Sequence, residues 1–360
     1  MTTTSPSSPG AATAGDGGAA AAQPATASAT TASATDPIAA DRPARTALRA
    51  HQLELDGRLV FVQDWGPVDG LPVLAIHTAG QSGVQYRDAA RELTAHGYRV
   101  IVPDMPGHGH SEQAPGGPVT DLGDYAEFCI RVLDALEVAH PVVIGCSIGG
   151  KISLDVGIRM GDRVRAVVAM AANADRGQVN VKAMRRELND ISTPSRSDRT
   201  YWGTRAVVGS AVPEARREII ARMHRREDPD ISNSDLIGWG THDIFDRLPE
   251  ITAPAHLVAG SGDLWIDPDT VRRAAAQIPG AQYTLLEGIG HYPMEEMPDF
   301  APVLHGWIQD ALASDARTGQ DQSGPGQSGR DQSRQDQSTH VQSGLDQPGQ
   351  AHGDTGGSLS

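Results

Sequence analysis

The sequence is poor in three features that many functions require. Only 4% of the 360 residues are aromatic, only 2 are cysteines, and acidic residues outnumber basic ones by 45 to 30. The formal net charge of −15 argues against nucleic-acid binding, which needs a basic surface to meet phosphates. No run approaches the roughly 20 apolar residues that span a bilayer, and the start of the chain lacks a basic and apolar leader. We therefore expect a cytoplasmic protein that binds neither membrane nor nucleic acid.

The residues that commonly hold metals or cofactors are also sparse. Cys129 and Cys146 fit reduced thiols of a cytoplasmic protein, and no Gly-x-Gly-x-x-Gly motif leads from an early strand into a helix. Four histidines show no spacing typical of zinc ligands and are read as turn or surface residues, namely His108, His110, His224 and His242. The sequence thus predicts no metal, no dinucleotide and no other cofactor.

Both ends of the chain have compositions that favour disorder. Residues 1–44 consist mainly of Ala, Thr, Ser, Gly and Pro, and residues 314–360 repeat Asp-Gln-Ser amid Gly and Pro. Such segments bury too little apolar surface to offset the entropy of ordering. We predict a disordered arm and a disordered tail around a folded part of about 270 residues, a size that suits one large domain.

Strand and helix patterns alternate through this folded part, which predicts an α/β fold with a mostly parallel sheet and helices on both faces. Asp56-Gly57 separates two strand-like runs, so the chain should open with a hairpin at the sheet edge. Six later strands are predicted: 73–76, 99–102, 142–144, 166–170, 256–259 and 283–286. When the two hairpin strands are counted, residues 174–250 lie between the sixth and seventh strands, where they interrupt this alternation. They predict an inserted helical cap, which divides the core into residues 45–173 and 251–313.

One short segment predicts a nucleophile. Gly145-Cys146-Ser147-Ile148-Gly149 follows the apolar run 141–144 and precedes a helix-like stretch. In a Gly-x-Ser-x-Gly elbow the serine lies on a sharp turn between strand and helix, and the glycines allow close backbone approach. Such a short motif also occurs by chance in a chain with 40 glycines, so its interpretation depends on partner residues further along.

Those partners follow in the order Ser, Asp, His. Asp263 and His291 each come just after a predicted strand, where an open parallel sheet places its functional groups. His291 would take the proton of Ser147, and Asp263 would orient the imidazole. Asp267 in the same loop is an alternative acid at this point. The loop after the strand at 73–76 could offer a backbone N–H to an oxyanion, with Ala79 and Ile148 as the two donors.

These segments, together with Asp104-Met105-Pro106-Gly107-His108-Gly109-His110-Ser111, resemble the α/β-hydrolase superfamily. The resemblance extends from about Leu53 to Ala313. It implies that Asp104 packs a tight turn near the site and does no chemistry. Some members of the superfamily place the acid after the sixth strand, which would be near Asn173 or Asp175 here. In many relatives the oxyanion loop reads His-Gly-x, whereas Thr78 stands here at the glycine position. The serine at the elbow differs from the aspartate of relatives that cleave carbon–halogen bonds or epoxides.

The cap should decide which substrate enters, because loops and lids supply shape and charge to a common catalytic core. It carries 12 arginines, of which one or two could bind a substrate carboxylate, whereas a helix over 214–226 would place most of them in solvent. In that helix Ala215, Ile219, Ile220 and Met223 should face inward. We expect substrate contacts at four residues: His77, Gln81, Trp202 and Trp265.

The sequence therefore predicts a serine hydrolase of carboxylic esters or lactones that acts on a small molecule through an acyl-enzyme. The resemblance leaves other reactions open, including hydrolysis of enol-lactones of the 3-oxoadipate type, carbon–carbon bond hydrolysis of dienoic keto acids, and haloperoxidase or perhydrolase activity. A ligand sensor without catalysis is a further alternative. Assembly into a homo-oligomer also stays open.

Overall fold

A sheet of 8 strands organises the part of the chain that the computed structural model describes, residues 47–187 and 196–321. The predicted arm at 1–44 and the part of the predicted tail beyond residue 321 lie outside the described residues. The strands are β1 (Leu48–Leu55), β2 (Arg58–Trp65), β3 (Leu71–Ile76), β4 (Tyr98–Pro103), β5 (Val142–Cys146), β6 (Ala166–Met170), β7 (Ala255–Gly260) and β8 (Gln282–Leu286). All eight fall where the sequence predicts strands.

The opening hairpin is confirmed. Asp56 and Gly57 both have positive φ, 53° and 70°, which is the backbone of a type I′ turn. This turn pairs β1 with β2 in antiparallel register, Leu55 opposite Arg58. The strand order is β1-β2-β4-β3-β5-β6-β7-β8, and every neighbouring pair from β4 to β8 is parallel. The carboxyl ends of β3, β5, β7 and β8 therefore lie at one edge of the sheet.

Helices cover both faces of the sheet. The helices are α1 (Arg87–Leu93), α2 (Leu122–Ala135), α3 (Ile148–Met160), α4 (Val181–Glu187), α5 (Arg196–Val207), α6 (Glu214–His224), α7 (Pro229–Thr241), α8 (Pro268–Gln277), α9 (Pro293–Glu296) and α10 (Phe300–Asp321). Successive residues of β3 point to opposite faces. Leu74 and Ile76 join the core beneath α2, α3 and α8, whereas Val73 and Ala75 join the core beneath α1 and α10. Burial on both faces explains why the central strands are continuously apolar.

The described residues between β6 and β7, where the sequence predicts a cap, form four helices, α4 to α7, and a 3-10 turn at Phe245–Glu250. The inward face of α6 differs from the predicted one. Ile220, Ala221 and His224 are buried, but Ile219 is 52% exposed. At the other end of the core, α10 continues past the predicted boundary at residue 313 to Asp321.

Lys151, in the first turns of α3, holds the two ends of this cap together. Its ammonium donates to the backbone carbonyls of Asp175 at 2.7 Å, Trp239 at 3.1 Å and His242 at 2.9 Å. Burial lowers the pKa of Lys151 to about 7, although the nearby Asp175 carboxylate opposes this shift. Three carbonyl acceptors match the three protons of an ammonium group. The cap is thus tied to the helix that follows the elbow serine.

Candidate active site

Ser147 lies at the turn from β5 into α3 with a strained backbone, φ 58° and ψ −122°. A Cβ at Gly145 would overlap the carbonyl of Gly149, and a Cβ at Gly149 would overlap the carbonyl of Ile76. Only glycine fits at these two positions because backbone approaches backbone there. The Ser147 side chain stays partly exposed while its neighbours are buried. This is the geometry of a nucleophile elbow, in which strain presents the hydroxyl to a cavity.

His291 and Asp263 are in direct contact beside this serine's cavity. Nδ1 of His291 lies 2.7 Å from Oδ2 of Asp263, and both side chains are buried. The other Asp263 oxygen accepts the backbone N–H groups of Trp265 at 2.8 Å and Ile266 at 3.1 Å. A carboxylate held in this way keeps the proton on Nδ1 of His291 and leaves Nε2 as the acceptor.

The alternative acids have other partners. Asp267 caps the N-terminus of α8 by accepting the N–H of Asp269. Asp175 accepts the amide of Asn173 at 2.7 Å and lies 3.5 Å from Arg273. Of the four residues weighed from the sequence, the contact with His291 is made by Asp263.

The loop after β3 leaves one amide open. The N–H of Thr78 donates to Oε1 of Gln85 at 2.9 Å, and the N–H of Gly80 donates to Oδ2 of Asp235 at 2.8 Å. Among the described residues, no acceptor is assigned to the N–H of Ala79 between them. Ile148 is the first residue of α3, so its N–H has no partner within the helix. These are the two donors that the sequence predicts for an oxyanion.

His77 requires a correction, because it does not line the cavity and is fully buried. Its Nδ1 lies 3.0 Å from the carbonyl of Thr78, and its Nε2 accepts the N–H of Met105 at 3.1 Å. Burial, together with the neighbouring His108, lowers the pKa of His77 well below its ordinary value. His77 is therefore a neutral side chain that holds the loop, rather than a substrate contact.

A cavity of about 1050 Å³ joins the elbow to the cap. Ser147, Asp263 and His291 all line it. The cap contributes both apolar and polar walls, including Val179, Met184, His224, Glu227, Leu236 and Trp239. A site of this volume suits a substrate of drug-like size.

The other predicted substrate contacts divide into two groups. Gln81 and Trp265 line the cavity, and the indole of Trp265 lies edge-on to the imidazole of His291 at 5.0 Å. Trp202 does not line the cavity and is 65% exposed, with the guanidinium of Arg205 over its ring. The prediction of a substrate contact at Trp202 is therefore corrected.

Only some of the cap arginines reach the cavity. Arg176 and Arg199 of the cap line it, together with Arg273 of the core. Arg217 instead donates to the carbonyls of Arg205, Val208 and Gly209 at the C-terminal end of α5, which stabilises orphan carbonyls there.

Two histidines read from the sequence as turn or surface residues are buried instead. His224 on α6 lies 2.6 Å from Glu295, and Glu295 also accepts the amide of Gln85 at 2.9 Å. His108, in the loop after β4, lies 2.8 Å from Asp235 on α7. Each pair connects the cap to the core. Asp104 takes the role expected from the sequence motif, since its carboxylate accepts the N–H groups of Gly83 and His110.

Glu296 is a functional residue that the sequence analysis did not find. Its Oε2 accepts the N–H of Gly290 at 2.6 Å and that of Gly209 at 3.0 Å, and its Oε1 accepts the N–H of Tyr292 at 2.9 Å. It thus fixes the backbone on both sides of His291. Cys146 lies against the same loop, where its thiol donates to the carbonyl of His291 at 3.1 Å. Burial raises the pKa of Cys146 well above its ordinary value, so it is an unreactive neutral thiol.

The described residues offer no gathering of three or more His, Cys, Asp and Glu side chains that could hold a metal ion. Among the helices at 47–187 and 196–321, none combines the length and apolar character of a membrane span.

Comparison with known proteins identifies relatives of this chain. The magnesium-chelatase 30 kDa subunit of Rhodobacter capsulatus is 29% identical over 262 residues, which cover 69% of this chain and 90% of that protein. The non-heme chloroperoxidase CPO-A1 of Kitasatospora aureofaciens is 25% identical, with coverage of 66% and 90%. Among solved structures, the enol-lactonase from Burkholderia xenovorans LB400 is similar with a TM-score of 0.64 at 20% identity, covering 72% of this chain and 100% of that one.

The family model described as the alpha/beta hydrolase fold matches residues 72–298, which is more than half of the chain. That range contains the elbow, the buried His–Asp pair and the loop with the open amide. The chain belongs to the alpha/beta hydrolase family.

Proposed function

We propose that this protein is a serine hydrolase of carboxylic esters or lactones that acts through Ser147, His291 and Asp263. The contact of 2.7 Å between Nδ1 of His291 and Asp263 carries this proposal, because it prepares Nε2 as a base at the cavity that Ser147 lines. The strained elbow supports it further, since strain at a non-glycine residue is retained where it serves a function.

Acylation begins with proton transfer from Ser147 to Nε2 of His291 as the hydroxyl oxygen attacks the substrate carbonyl. Asp263 stabilises the imidazolium that results. The negative charge on the former carbonyl oxygen is held by the N–H groups of Ala79 and Ile148. His291 then returns the proton to the leaving oxygen, which departs as an alcohol, or as the free end of an opened lactone.

Deacylation repeats these steps with water. His291 takes one proton from water, the resulting hydroxide attacks the acyl carbon, and the proton returns to Ser147 as the carboxylic acid is released. Glu296 keeps His291 in place through both halves because it binds the amides of the two flanking residues, Gly290 and Tyr292. The protein groups supply every proton transfer in this scheme.

The cavity supports a substrate with an apolar body and a polar or anionic substituent. Trp239, Leu236 and Trp265 offer apolar surface, whereas Arg176 and Arg273 bring guanidinium groups to the wall. Arg176 lies 3.7 Å from Asp243 and Arg273 lies 3.5 Å from Asp175, so both pairs are loose enough to exchange for a substrate carboxylate. Esters that carry a distal carboxylate should be better substrates than the same esters with that carboxylate replaced by a carboxamide.

A second candidate uses the same residues with another acyl acceptor. The chloroperoxidase relative matches along 90% of its own length, and this supports attack on the acyl-enzyme by hydrogen peroxide instead of water. The product would then be a peroxy acid, with the proton of the peroxide taken by His291 as it is from water.

The test is hydrolysis of a p-nitrophenyl ester series and a lactone panel by the wild type, by Ser147→Ala and by Ser210→Ala. Ser210 is exposed and does not line the cavity, so it controls for the loss of a serine hydroxyl. We expect turnover in the wild type and Ser210→Ala and loss of at least about 10³-fold in Ser147→Ala. Absence of turnover, together with absence of fluorophosphonate labelling at Ser147, would contradict the proposal. Peroxide-dependent formation of peroxy acid would favour the second candidate.

A further inference from the structure

Asp235, a fully buried carboxylate on the cap helix α7, uses both oxygens for groups of the core. Its Oδ1 accepts the hydroxyl of Tyr125 at 2.8 Å. Its Oδ2 accepts the N–H of Gly80 and faces Nε2 of His108, each at 2.8 Å. The sequence separations to these partners range from 110 to 155 residues, so this contact exists only when cap and core are docked.

The N–H of Gly80 belongs to the peptide unit next to the one that carries the N–H of Ala79. The carbonyl on the Ala79 peptide unit is that of Thr78, and it accepts from Nδ1 of His77 at 3.0 Å and from the N–H of Gln81 at 3.2 Å. In a trans peptide the N–H points opposite to its carbonyl, so these two donors direct the N–H of Ala79 away from His77. On the cap side, the N–H of Gly80 donates to Asp235.

The backbone of Gly80 turns toward the cap with a positive φ of 68°. A Cβ at Gly80 would meet the side chains of Glu227 and Ser232, which both belong to the cap. The close approach lets the amide reach the buried carboxylate, and a larger residue at position 80 would separate them. The conformation of the loop that carries the open amide therefore depends on the cap.

His108 balances the charge of this carboxylate. Both of its ring nitrogens face oxygen acceptors, Nδ1 the carbonyl of Pro106 at 3.2 Å and Nε2 the carboxylate of Asp235. Burial alone would lower the pKa of His108, but the charge and hydrogen bond of Asp235 raise it above its ordinary value. Two acceptors at the ring nitrogens and the raised pKa favour the imidazolium form of His108, which would offset the charge of Asp235 beside a forming oxyanion.

We propose that Asp235 is a positioning residue for the oxyanion hole, since it holds Gly80 and thereby aims the N–H of Ala79 at the reacting carbonyl. The cap thus takes part in transition-state stabilisation as well as in substrate selection. This inference rests on the proposed serine acyl transfer.

The experiment compares Asp235→Ala and Asp235→Asn with Ser234→Ala. Ser234 is the matched control because it is equally buried on the same helix and bonds only the carbonyl of Ile231 within that helix. For each protein, kcat and KM are measured on one ester, and inhibition constants are measured for a boronic acid and for the product carboxylic acid. The boronic acid forms a tetrahedral adduct that needs the oxyanion donors, whereas the product acid does not.

We expect Asp235→Ala to lower kcat by about 10²-fold, the typical effect of one lost oxyanion donor, with KM within about twofold. Boronic-acid affinity should fall by a similar factor and product affinity should stay the same. Asp235→Asn should recover part of kcat, because an amide oxygen can still accept from Gly80. Ser234→Ala should match the wild type. If Asp235→Ala fails to fold, Asp235→Asn alone tests the inference.

Wild-type kcat and boronic-acid affinity in both Asp235 variants would overturn the inference. An equal loss of affinity for both inhibitors would also overturn it, because it would indicate general damage to the cavity. A wild type that neither hydrolyses esters nor is labelled at Ser147 would instead overturn the proposed function, and this inference with it.

Discussion

The imidazole of His291 is held from two sides, by Asp263 at Nδ1 and by the indole of Trp265, which stands edge-on at 5.0 Å. The same carboxylate accepts the N–H of Trp265. The carboxylate and the aromatic side chain therefore fix the imidazole together, and each can be tested separately.

Asp263→Asn should retain the fold and lose activity on the order of 10⁴-fold in kcat, because an amide partner favours the imidazole tautomer with its proton on the wrong nitrogen. Thermal unfolding and ester hydrolysis measure the two effects. Asp267→Asn is the control, since Asp267 caps α8 and does not bond His291. Full activity in Asp263→Asn would assign the acid elsewhere.

Trp265→Ala should raise KM by about tenfold, because a cavity wall and a ring contact with His291 are lost together. Trp202→Ala is the matched control: it removes an indole that lies outside the cavity and is 65% exposed. Its kcat and KM should stay within about twofold of the wild type. Equal effects of the two substitutions would mean that the cavity wall extends to Trp202 when substrate binds.

Gly149→Ala should destabilise the protein by at least about 3 kcal/mol, since the added methyl group overlaps the backbone carbonyls of Ile76 and His77. Urea denaturation measures this change. Gly306→Ala is the control: a methyl group there meets nothing within 4 Å in α10, and helix propensity should raise the free energy of unfolding by up to about 1 kcal/mol. Similar stability in the two variants would contradict the close packing at the elbow.

Lys151→Met should change how stability depends on pH. The lowered pKa of about 7 means that folded Lys151 loses its proton as pH rises above 7, while the unfolded chain keeps it up to about 10.5. The wild type therefore gains stability with pH in this window, by up to about 1.4 kcal/mol per pH unit from this group, and the variant does not.

The measurement is the difference in the free energy of unfolding between wild type and Lys151→Met at pH 7, 8 and 9. This difference should grow with pH in favour of the wild type. Lys182→Met, at the other lysine of the chain, is exposed and should show a constant difference. A constant difference for Lys151→Met as well would mean that its ammonium keeps an ordinary pKa.

Local sequence patterns were sufficient for the features that depend on neighbouring residues. Asp56-Gly57 favours one turn type, and the glycines around Ser147 satisfy a steric demand that is visible within five residues. The positions of the strands follow from apolar runs and their spacing. These predictions hold because backbone conformation and side-chain alternation are short-range properties.

The same local patterns could not predict which residues far apart in the sequence contact each other. His108 and Asp235 are 127 residues apart, and nothing near either residue indicates its partner, so the sequence predicts a turn or surface residue at His108. Trp202 and Trp265 also look alike in sequence and are both exposed, but Trp265 lines the cavity and Trp202 does not. Ile219 fits the apolar stripe of α6 by periodicity but lies at the edge of the buried face and is exposed. Whether a cap residue is buried therefore depends on which part of the core the cap covers.

The contacts of Lys151 bear on how the cap of this enzyme could evolve. Both ends of the cap return to one ammonium group, so the insertion leaves the core and re-enters it at nearly the same point. A segment joined in this way can vary in length and sequence without straining the strands on either side, as inserted domains do at surface loops. A foreign cap would need to present carbonyls to Lys151 and a carboxylate to the N–H of Gly80. The cap is thereby exchangeable as a unit, provided that these contacts with the core are kept.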